Sequence, residues 1–401
     1  MAGKVLILTP QSPLSIARGD AIRNFNLMRQ LAEHGWNLAL FSLAVDLPTT
    51  DVYQESLRGI CETVMFEPIH IPKMIRYARV LRDVARSTAF QRDYFWSESA
   101  ADRLHQWVRS TEFDLIFVNQ LFMYRYLPSE LRRTAVLDTH NAELLRLRSM
   151  SKGGGLTPRG IVARLQDGGV QRFEENAVRS MAHTLAVSPE EHRYFDGLVP
   201  GRVSLVPNGV DLTRYVERTS LPREPRILFI GSLSYSANVD AVQHLVRDIL
   251  PKVSRLDTQV TVVGADPPRR LYDTVQRSPV PVAVTGYVES TRPYVEGNRL
   301  LVVPLRFGGG TRLKILEALA QGLPVISTSI GCAGLGLTHG QDVIVADDPT
   351  DFARWIDRLL EDDELCLSLG RAGRRKVERE YDWTRIGSNL HGILSALRRG
   401  G

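Results

Sequence analysis

The chain has 401 residues, enough for two domains that each bury a core of their own. With 43% hydrophobic residues, 24% charged residues and a net charge of +5, it fits neither a disordered nor a fibrous protein. Its three cysteines, Cys61, Cys332 and Cys366, lie far apart with no C-x-x-C pair, which excludes a disulfide framework and a cysteine zinc site and favours a reducing cytoplasm.

Met1 leads straight into an apolar stretch without a signal-peptide pattern, and no apolar run reaches the roughly 18 residues of a membrane span. A cytoplasmic protein is expected, at most peripheral at the inner face of a membrane. Lys4 to Thr9 reads as a buried strand, Ile22 to His34 as a helix stopped by Gly35, and Trp36 to Leu43 as a second strand. That order predicts a parallel α/β unit whose ligands gather at the C-terminal ends of the strands. In the intervening loop, Gly19 either lets a ligand come close or simply makes a turn; Arg18, Asp20 and Arg23 are lesser candidates.

Between Ile69 and Arg92 the spacing predicts a basic amphipathic helix with Met74, Tyr77, Leu81 and Val84 on one face. From Lys73 to Arg92, six cations stand against one acid, Asp83. Two readings are open: contact with an anionic membrane or lipid-linked acceptor, or a solvated helix docked by its apolar side. Nucleic acid does not fit, because no binding motif or aromatic stacking platform accompanies the cations.

Strands follow at 114–118 and 135–137, and the second ends in Asp138-Thr139-His140-Asn141. His140, at a strand's C-terminal end, either donates a hydrogen bond to a ligand or caps the next helix. The glycine-punctuated segment 149–169 reads as a mobile loop. Strands at 183–188 and 202–206 lead to Pro207-Asn208-Gly209, where Asn-Gly is a turn signal and Asn208 a ligand candidate. The polar, proline-bearing stretch 219–225 marks the domain boundary.

A second series then begins: strand 226–230, a loop from Gly231 to Asn238, a helix 239–253, and strands at 259–264, 282–285 and 300–303. The most informative stretch runs from Pro304 to Thr328. Gly308 to Gly310 allow close backbone approach, and a helix opening near Thr311 aims unpaired N–H groups the same way. Lys314 and Glu317 share a helical face, while Leu313, Leu316 and Ala320 form the docking stripe. Amides, a cation and a carboxylate at one mouth suit a nucleoside diphosphate, its ribose hydroxyls donating to the acid. The plainer alternatives are an ordinary strand-to-helix connection and a surface Lys314–Glu317 pair. Helices 350–361 and 363–380 read as packing, with Trp355, Leu359 and Leu360 in the core, and a last helix covers 382–398.

The string P-L-R-x-G-G-G-T-R-L-K-I-L-E-A-x-A-x-G-x-P-V from Pro304 resembles the nucleotide-sugar motif of the family 4 retaining glycosyltransferases, in the variant where R-x-G-G-G-T-R-L-K precedes E-A. Pro207-Asn-Gly-Val-Asp211 and the Asp138-to-Asn141 run resemble further elements of that family. The resemblance implies the α/β GT-B fold: two doubly wound Rossmann-like domains facing across a cleft. One spans 1–218, with helix 382–398 crossing back to it, and 226–381 binds the nucleotide sugar. It implies a hexosyltransferase-like activity that uses a nucleoside diphosphate sugar as co-substrate, with no further cofactor. The acceptor is a hydroxyl on a glycan, a lipid-linked molecule or a small molecule, and configuration is retained. No D-x-D metal site is evident, so the expected enzyme is metal-independent.

By the same resemblance Arg312 and Lys314 stabilise the leaving group and His140 lines the active cleft. Gly19, Asn208, Gly231, Gly286, Val288, Gly309, Gly310, Thr311, Leu313 and Glu317 bind substrate, with 285–288 receiving the base. Two departures stand out: no Arg or Lys lies between Arg226 and Arg247, and Gly309 stands where many relatives carry a glutamate eight residues before Glu317. They keep open a catalytically idle nucleotide-sugar-binding subunit and a GT-B sugar epimerase.

Overall fold

The computed structural model describes residues 3–14, 19–45, 57–69, 71–86, 88–89, 93, 95–154, 158–308 and 312–400. Two units result, one formed by Met1–Asn208 with Trp383–Gly401 and the other by Gly209–Asp382.

In the first unit the strands are Lys4–Thr9 (β1), Asn37–Val45 (β2), Thr63–Ile69 (β3), Leu115–Asn119 (β4), Ala135–Asp138 (β5), His183–Ala186 (β6) and Val203–Leu205 (β7). They form one parallel sheet in the order β3-β2-β1-β4-β5-β6-β7. Successive side chains go to opposite faces. Val5, Ile7, Leu38, Leu40 and Phe117 pack with Leu27, Met28 and Leu31 of the helix Gly19–Glu33 and with Trp383, Ile386, Leu390 and Leu394 of the helix Trp383–Gly400. Leu6, Leu8, Phe41, Val118 and Leu137 pack on the other face with Val170, Phe173 and Ala177. Strands covered on both faces need continuous apolar runs, which is why the sequence shows them.

Segment 149–169 is not a loop: it belongs to two helices, Glu143–Gly154 and Pro158–Ser180, residues 155–157 lying outside the described set. Each internal glycine costs a helix about 1 kcal/mol. Buried Leu147, Ala163, Val170 and Phe173 supply an apolar stripe that outweighs this.

The second unit has the strands Arg226–Ile230 (β8), Gln259–Val263 (β9), Val282–Val284 (β10), Leu300–Val303 (β11), Val325–Ser327 (β12) and Ile344–Val345 (β13), parallel in the order β10-β9-β8-β11-β12-β13. The helix expected at 239–253 runs from Ser236 to His244, then widens into a π turn at Leu245–Ile249 and tightens at Leu250–Lys252. Pro251 explains the change, since it lacks an N–H and its ring clashes with the preceding turn. Residues 209–218 lie with this unit: Val210 N–H donates to Tyr381 O (2.8 Å), and Arg218 donates to Asn298 O (2.9 Å) and Val295 O (2.5 Å).

In both sheets the strand order reverses beside the first strand, between β1 and β4 and between β8 and β11. Loops diverging there leave a crevice at the C-terminal edge, where ligands of such folds bind.

The final helix is held mainly by apolar burial, with Trp383 at 2% exposure. Trp383→Ala is expected to lower stability by about 3–5 kcal/mol, read as an earlier urea midpoint. A change below about 1 kcal/mol would show that this helix adds little to its unit.

Candidate functional site

In the second unit β8 and β11 are neighbours, so the loops leaving them meet. Lys314 stands in the first turn of the helix Leu313–Ala320. Its Nζ donates to Asn238 Oδ1 (3.1 Å) and lies 4.8 Å from the centroid of the Phe229 ring. Asn238 in turn donates to Ser232 O (2.8 Å). A Cβ on Gly231 would lie 2.6 Å from Lys314 Nζ and 2.8 Å from the Asn238 amide. Gly231 therefore makes room for the lysine and its partner, rather than offering ligand an open approach as the sequence suggested.

Burial pushes the Lys314 ammonium down to about 7; the Arg312 charge adds to this and Glu317 opposes it. Arg312, just before the helix, reaches over Gly308, where a Cβ would lie 3.1 Å from Nη2 and 3.3 Å from Tyr235 Oη. Gly308 has φ +120°, a conformation open essentially to glycine alone. Burial pushes the Glu317 carboxyl up, while a hydrogen bond from Tyr215 and the charges of Arg214 and Lys314 pull it down. Lys314 and Glu317 are both half-buried, so the surface ion pair is not what forms.

Gly309, Gly310 and Thr311 lie outside the described residues, as does Arg18. Leu313 packs partly buried against the core, leaving its N–H among those without an intrahelical partner. Gly286 has φ +75°, and its carbonyl accepts from Gly264 N–H (3.2 Å) and Thr285 Oγ1 (3.0 Å), so that oxygen is already engaged by the fold. Val288 packs partly against the core.

In the first unit the corresponding edge holds a buried charge network. Arg23 donates to Asp138 through Nε (2.9 Å to Oδ2) and Nη2 (2.6 Å to Oδ1). Its other hydrogens go to Val206 O (2.9 Å), Pro207 O (3.0 Å) and Asn208 Oδ1 (3.2 Å). Burial alone pushes the Asp138 carboxyl up, but the Arg23 guanidinium and His140 outweigh it and hold the acid well below the usual carboxylate range. Asn208 thus offers a ligand its Nδ2, not its oxygen.

His140 Nε2 lies 3.1 Å from Asp138 Oδ2 and 3.2 Å from Asn119 Oδ1. An ionised carboxylate only accepts, so Nε2 carries the hydrogen and Nδ1, in the neutral ring, is an acceptor. Nε2 is thus engaged by Asp138 and Asn119, and Nδ1 is the ring atom left to meet a hydroxyl. His140 has φ +58°, a backbone strain on the order of 1–3 kcal/mol that the network holds in place. The loop after it is fixed by two buried acids, Glu191 accepting from Ala142 N–H (3.0 Å) and Glu174 from Glu143 N–H (2.6 Å). Gly19 is exposed and opens its helix, and its neighbour Asp20 accepts from Gln120 Nε2 (3.0 Å). Among the described residues, no group of three or more His, Cys, Asp or Glu is arranged to hold a metal.

Two family models match this chain, Glycosyltransferase Family 4 over residues 18–214 and Glycosyl transferases group 1 over 224–362, together most of its length. The chain belongs to the family 4 glycosyltransferases. It is 25% identical over 172 residues to an uncharacterized 44.6 kDa protein in the cps region of Klebsiella pneumoniae, covering 41% of this chain and 44% of that one. It is 23% identical over 274 residues to the D-inositol 3-phosphate glycosyltransferase of Rhodococcus jostii, covering 63% and 59%. The chain spans about half the length of the curated relatives it matches. Among solved structures, sucrose-phosphate synthase from Thermosynechococcus elongatus superposes with a TM-score of 0.74 over 99% of this chain and 100% of that one, at 19% identity. The two parallel-sheet domains thus have the GT-B fold.

In this family 4 chain, sequence reasoning ranked Arg23 low and overlooked Asn119, Tyr215 and Asn238 as partners. One signal was available: Arg23 lies in line with Leu27 and Leu31 on the buried stripe of its helix, where a lone cation requires a buried acid. Arg23→Ala leaves Asp138 buried without that partner and is expected to cost about 3–5 kcal/mol by urea unfolding, whereas Arg23→Met with Asp138→Leu recovers most of it.

Lys314 generates a pH prediction. Its pKa is depressed relative to the unfolded chain, so stability rises between about pH 7 and 10.5, where only the unfolded chain keeps the proton. Anion binding has the opposite sign, because a diphosphate selects the ammonium. Titration calorimetry with UDP and GDP is expected to show affinity weakening from pH 7 to 9, by up to about tenfold per unit, above the phosphate's own titration near 6. Lys314→Met is expected to flatten the profile; an unchanged slope would remove the lysine from the anion site.

Proposed function

We propose that the protein is a retaining glycosyltransferase that moves a sugar from a nucleoside diphosphate sugar to a hydroxyl acceptor. The observation that carries this reading is the half-buried Lys314, its ammonium held by Asn238 and the Phe229 ring, beside Arg312 at the opening of the helix Leu313–Ala320. As the bond from the anomeric carbon to the diphosphate breaks, negative charge grows on the leaving oxygen and the sugar becomes oxocarbenium-like. Cations and aligned amides at that oxygen lower the barrier. The acceptor oxygen then bonds to the anomeric carbon on the same face, and its proton passes to the departing phosphate. Arg312 and Lys314 supply the positive charge that a divalent ion supplies in other such sites, so we read the reaction as metal-independent. Glu317 takes the ribose hydroxyls and His140 Nδ1 a sugar hydroxyl.

Buried free Cys61 and Cys366 fit a reducing cytoplasm, and we place the acceptor side at an anionic membrane surface, on the helix Lys73–Ala85. Its apolar side is not docked: Met74, Tyr77 and Leu81 are 80%, 69% and 71% exposed. Polar contacts hold the opposite side, where Asp83 is buried and Arg79 donates to Asp93 O (2.9 Å) and Trp96 O (3.0 Å). Large exposed apolar residues with exposed Arg86 just beyond them suit shallow insertion under anionic headgroups, while Arg82 is held by Asp83 and Asp93. No helix among the described residues is long and apolar enough to cross a membrane.

Incubation with radiolabelled nucleotide sugars and a hydroxyl acceptor panel that includes phosphorylated polyols, after the Rhodococcus relative, tests the activity. Arg312→Ala and Lys314→Ala are each expected to slow transfer by about 10²–10³ with unfolding unchanged, and near-normal rates in both would remove their role. Binding without turnover identifies an idle subunit, and a free epimer an epimerase. For the membrane, Met74→Ser with Leu81→Ser is expected to abolish co-sedimentation with phosphatidylglycerol vesicles, and equal pelleting would show that this face serves otherwise.

A further inference from the structure

At the opposite end of the first sheet, the turns entering β5, β6 and β7 surround a cavity of about 650 Å³. Arg132 and Arg133 come from the turn Ser129–Thr134 before β5, Arg179 from the end of the helix Pro158–Ser180, and Arg202 from the approach to β7. Three strands that are neighbours in the sheet thus deliver four guanidiniums to one hollow. It is separate from the network of Asp138 and His140, which lies at the strands' C-terminal ends, roughly 13 Å away for a four-residue strand.

Three of the four arginines are anchored by the fold. Arg132 Nε donates to Leu127 O (3.1 Å) while its guanidinium stacks 4.9 Å from the Tyr124 ring centroid. Arg179 donates to Leu198 O (3.2 Å) and Arg202 to Met181 O (3.1 Å), tying neighbouring turns together. Each such bond uses part of a five-hydrogen fork and leaves further N–H groups available. Among the described residues, none of the four pairs with a carboxylate. Glu130, the acid in the same turn, accepts from Ser129 Oγ (3.2 Å). Four like charges held around a hollow repel one another unless an anion lies between them.

We propose that this pocket binds a diphosphate group, with the arginine forks engaging its oxygens in bidentate fashion. Its volume exceeds the need of one phosphate, and its four positive charges match the multiple charges of a diphosphate. The group arrives either as a free diphosphate or as the headgroup of a lipid diphosphate.

The test uses the full chain, inorganic pyrophosphate as probe, and three proteins: wild type, Lys314→Ala, and Arg133→Ala with Arg179→Ala. Both replaced arginines are exposed, so the fold is expected to persist. Calorimetry should show pyrophosphate binding to wild type and to Lys314→Ala, weakened at least tenfold in the double arginine variant, which keeps its glycosyl transfer. Equal affinity in the arginine variant, or binding lost only with Lys314, would overturn the proposal. Vesicles carrying a lipid diphosphate separate the sources: pelleting that depends on Arg133 and Arg179 assigns a lipid headgroup, while arginine-dependent pyrophosphate binding without it assigns a free diphosphate. Pelleting and pyrophosphate binding both indifferent to the arginines would leave no anion site there.

Discussion

An ammonium partly withdrawn from water is the constraint around which the second unit's site is arranged. Dehydrating an ion costs several kcal/mol even after the protein relaxes, and Lys314 meets that cost with an amide oxygen and an aromatic face, not with a close ion pair. The surrounding residues follow from it. Gly231 is small because Nζ occupies the space a side chain would fill, and Gly308 is small and left-handed because the Arg312 guanidinium lies against it. The missing cation of the loop after β8 also becomes intelligible. A third positive group beside Lys314 and Arg312 would deepen their repulsion, and Asn238 supplies a neutral partner there.

The first unit solves the same problem in the opposite way. Arg23 and Asp138 are both almost wholly buried, yet they neutralise each other through two short bonds. A buried pair of this kind stabilises little compared with apolar packing, but it permits only one arrangement of the segments that carry it. Here those segments are a helix, a strand end and the chain at 206–208, so Asp138, His140 and Asn208 are placed by a single guanidinium. The strained backbone of His140 persists because both of the groups that hold its ring are themselves on strand ends.

Strand positions were legible because a parallel sheet buried on both faces demands continuous apolar runs, as in Leu300–Val303 and Arg226–Ile230. β3 was not, since Thr63–Ile69 lies at a sheet edge and carries Glu67 and Pro68 within it. Segment 149–169 misled because glycine punctuation marks turns only where no apolar stripe competes. The Gly231 loop and the Lys314 helix could be placed from strand and helix ends alone, whereas Arg23 and Asp138 are 115 residues apart and no local pattern joins them. The helix Lys73–Ala85 shows a subtler limit. Its periodicity revealed an apolar side, but which side faces inward is decided by Arg79, whose partners Asp93 O and Trp96 O lie outside the helix, and by the burial of Asp83.

Net charge hides how these cations are distributed. An excess of +5 over the whole chain is mild, and it arises from local groups that have no acid beside them. At the C-terminal edge of the first sheet the arginine is matched by Asp138, so that edge presents polar hydrogen-bonding groups suited to neutral hydroxyls. At its N-terminal edge Arg132, Arg133, Arg179 and Arg202 are matched by nothing in the described fold. One sheet therefore has two ends of different character, set by where carboxylates were placed rather than by where arginines were. The same rule separates the units: positive charge that is paired positions the chain, and positive charge left without an acid, as at Lys314, is what an anion can recognise.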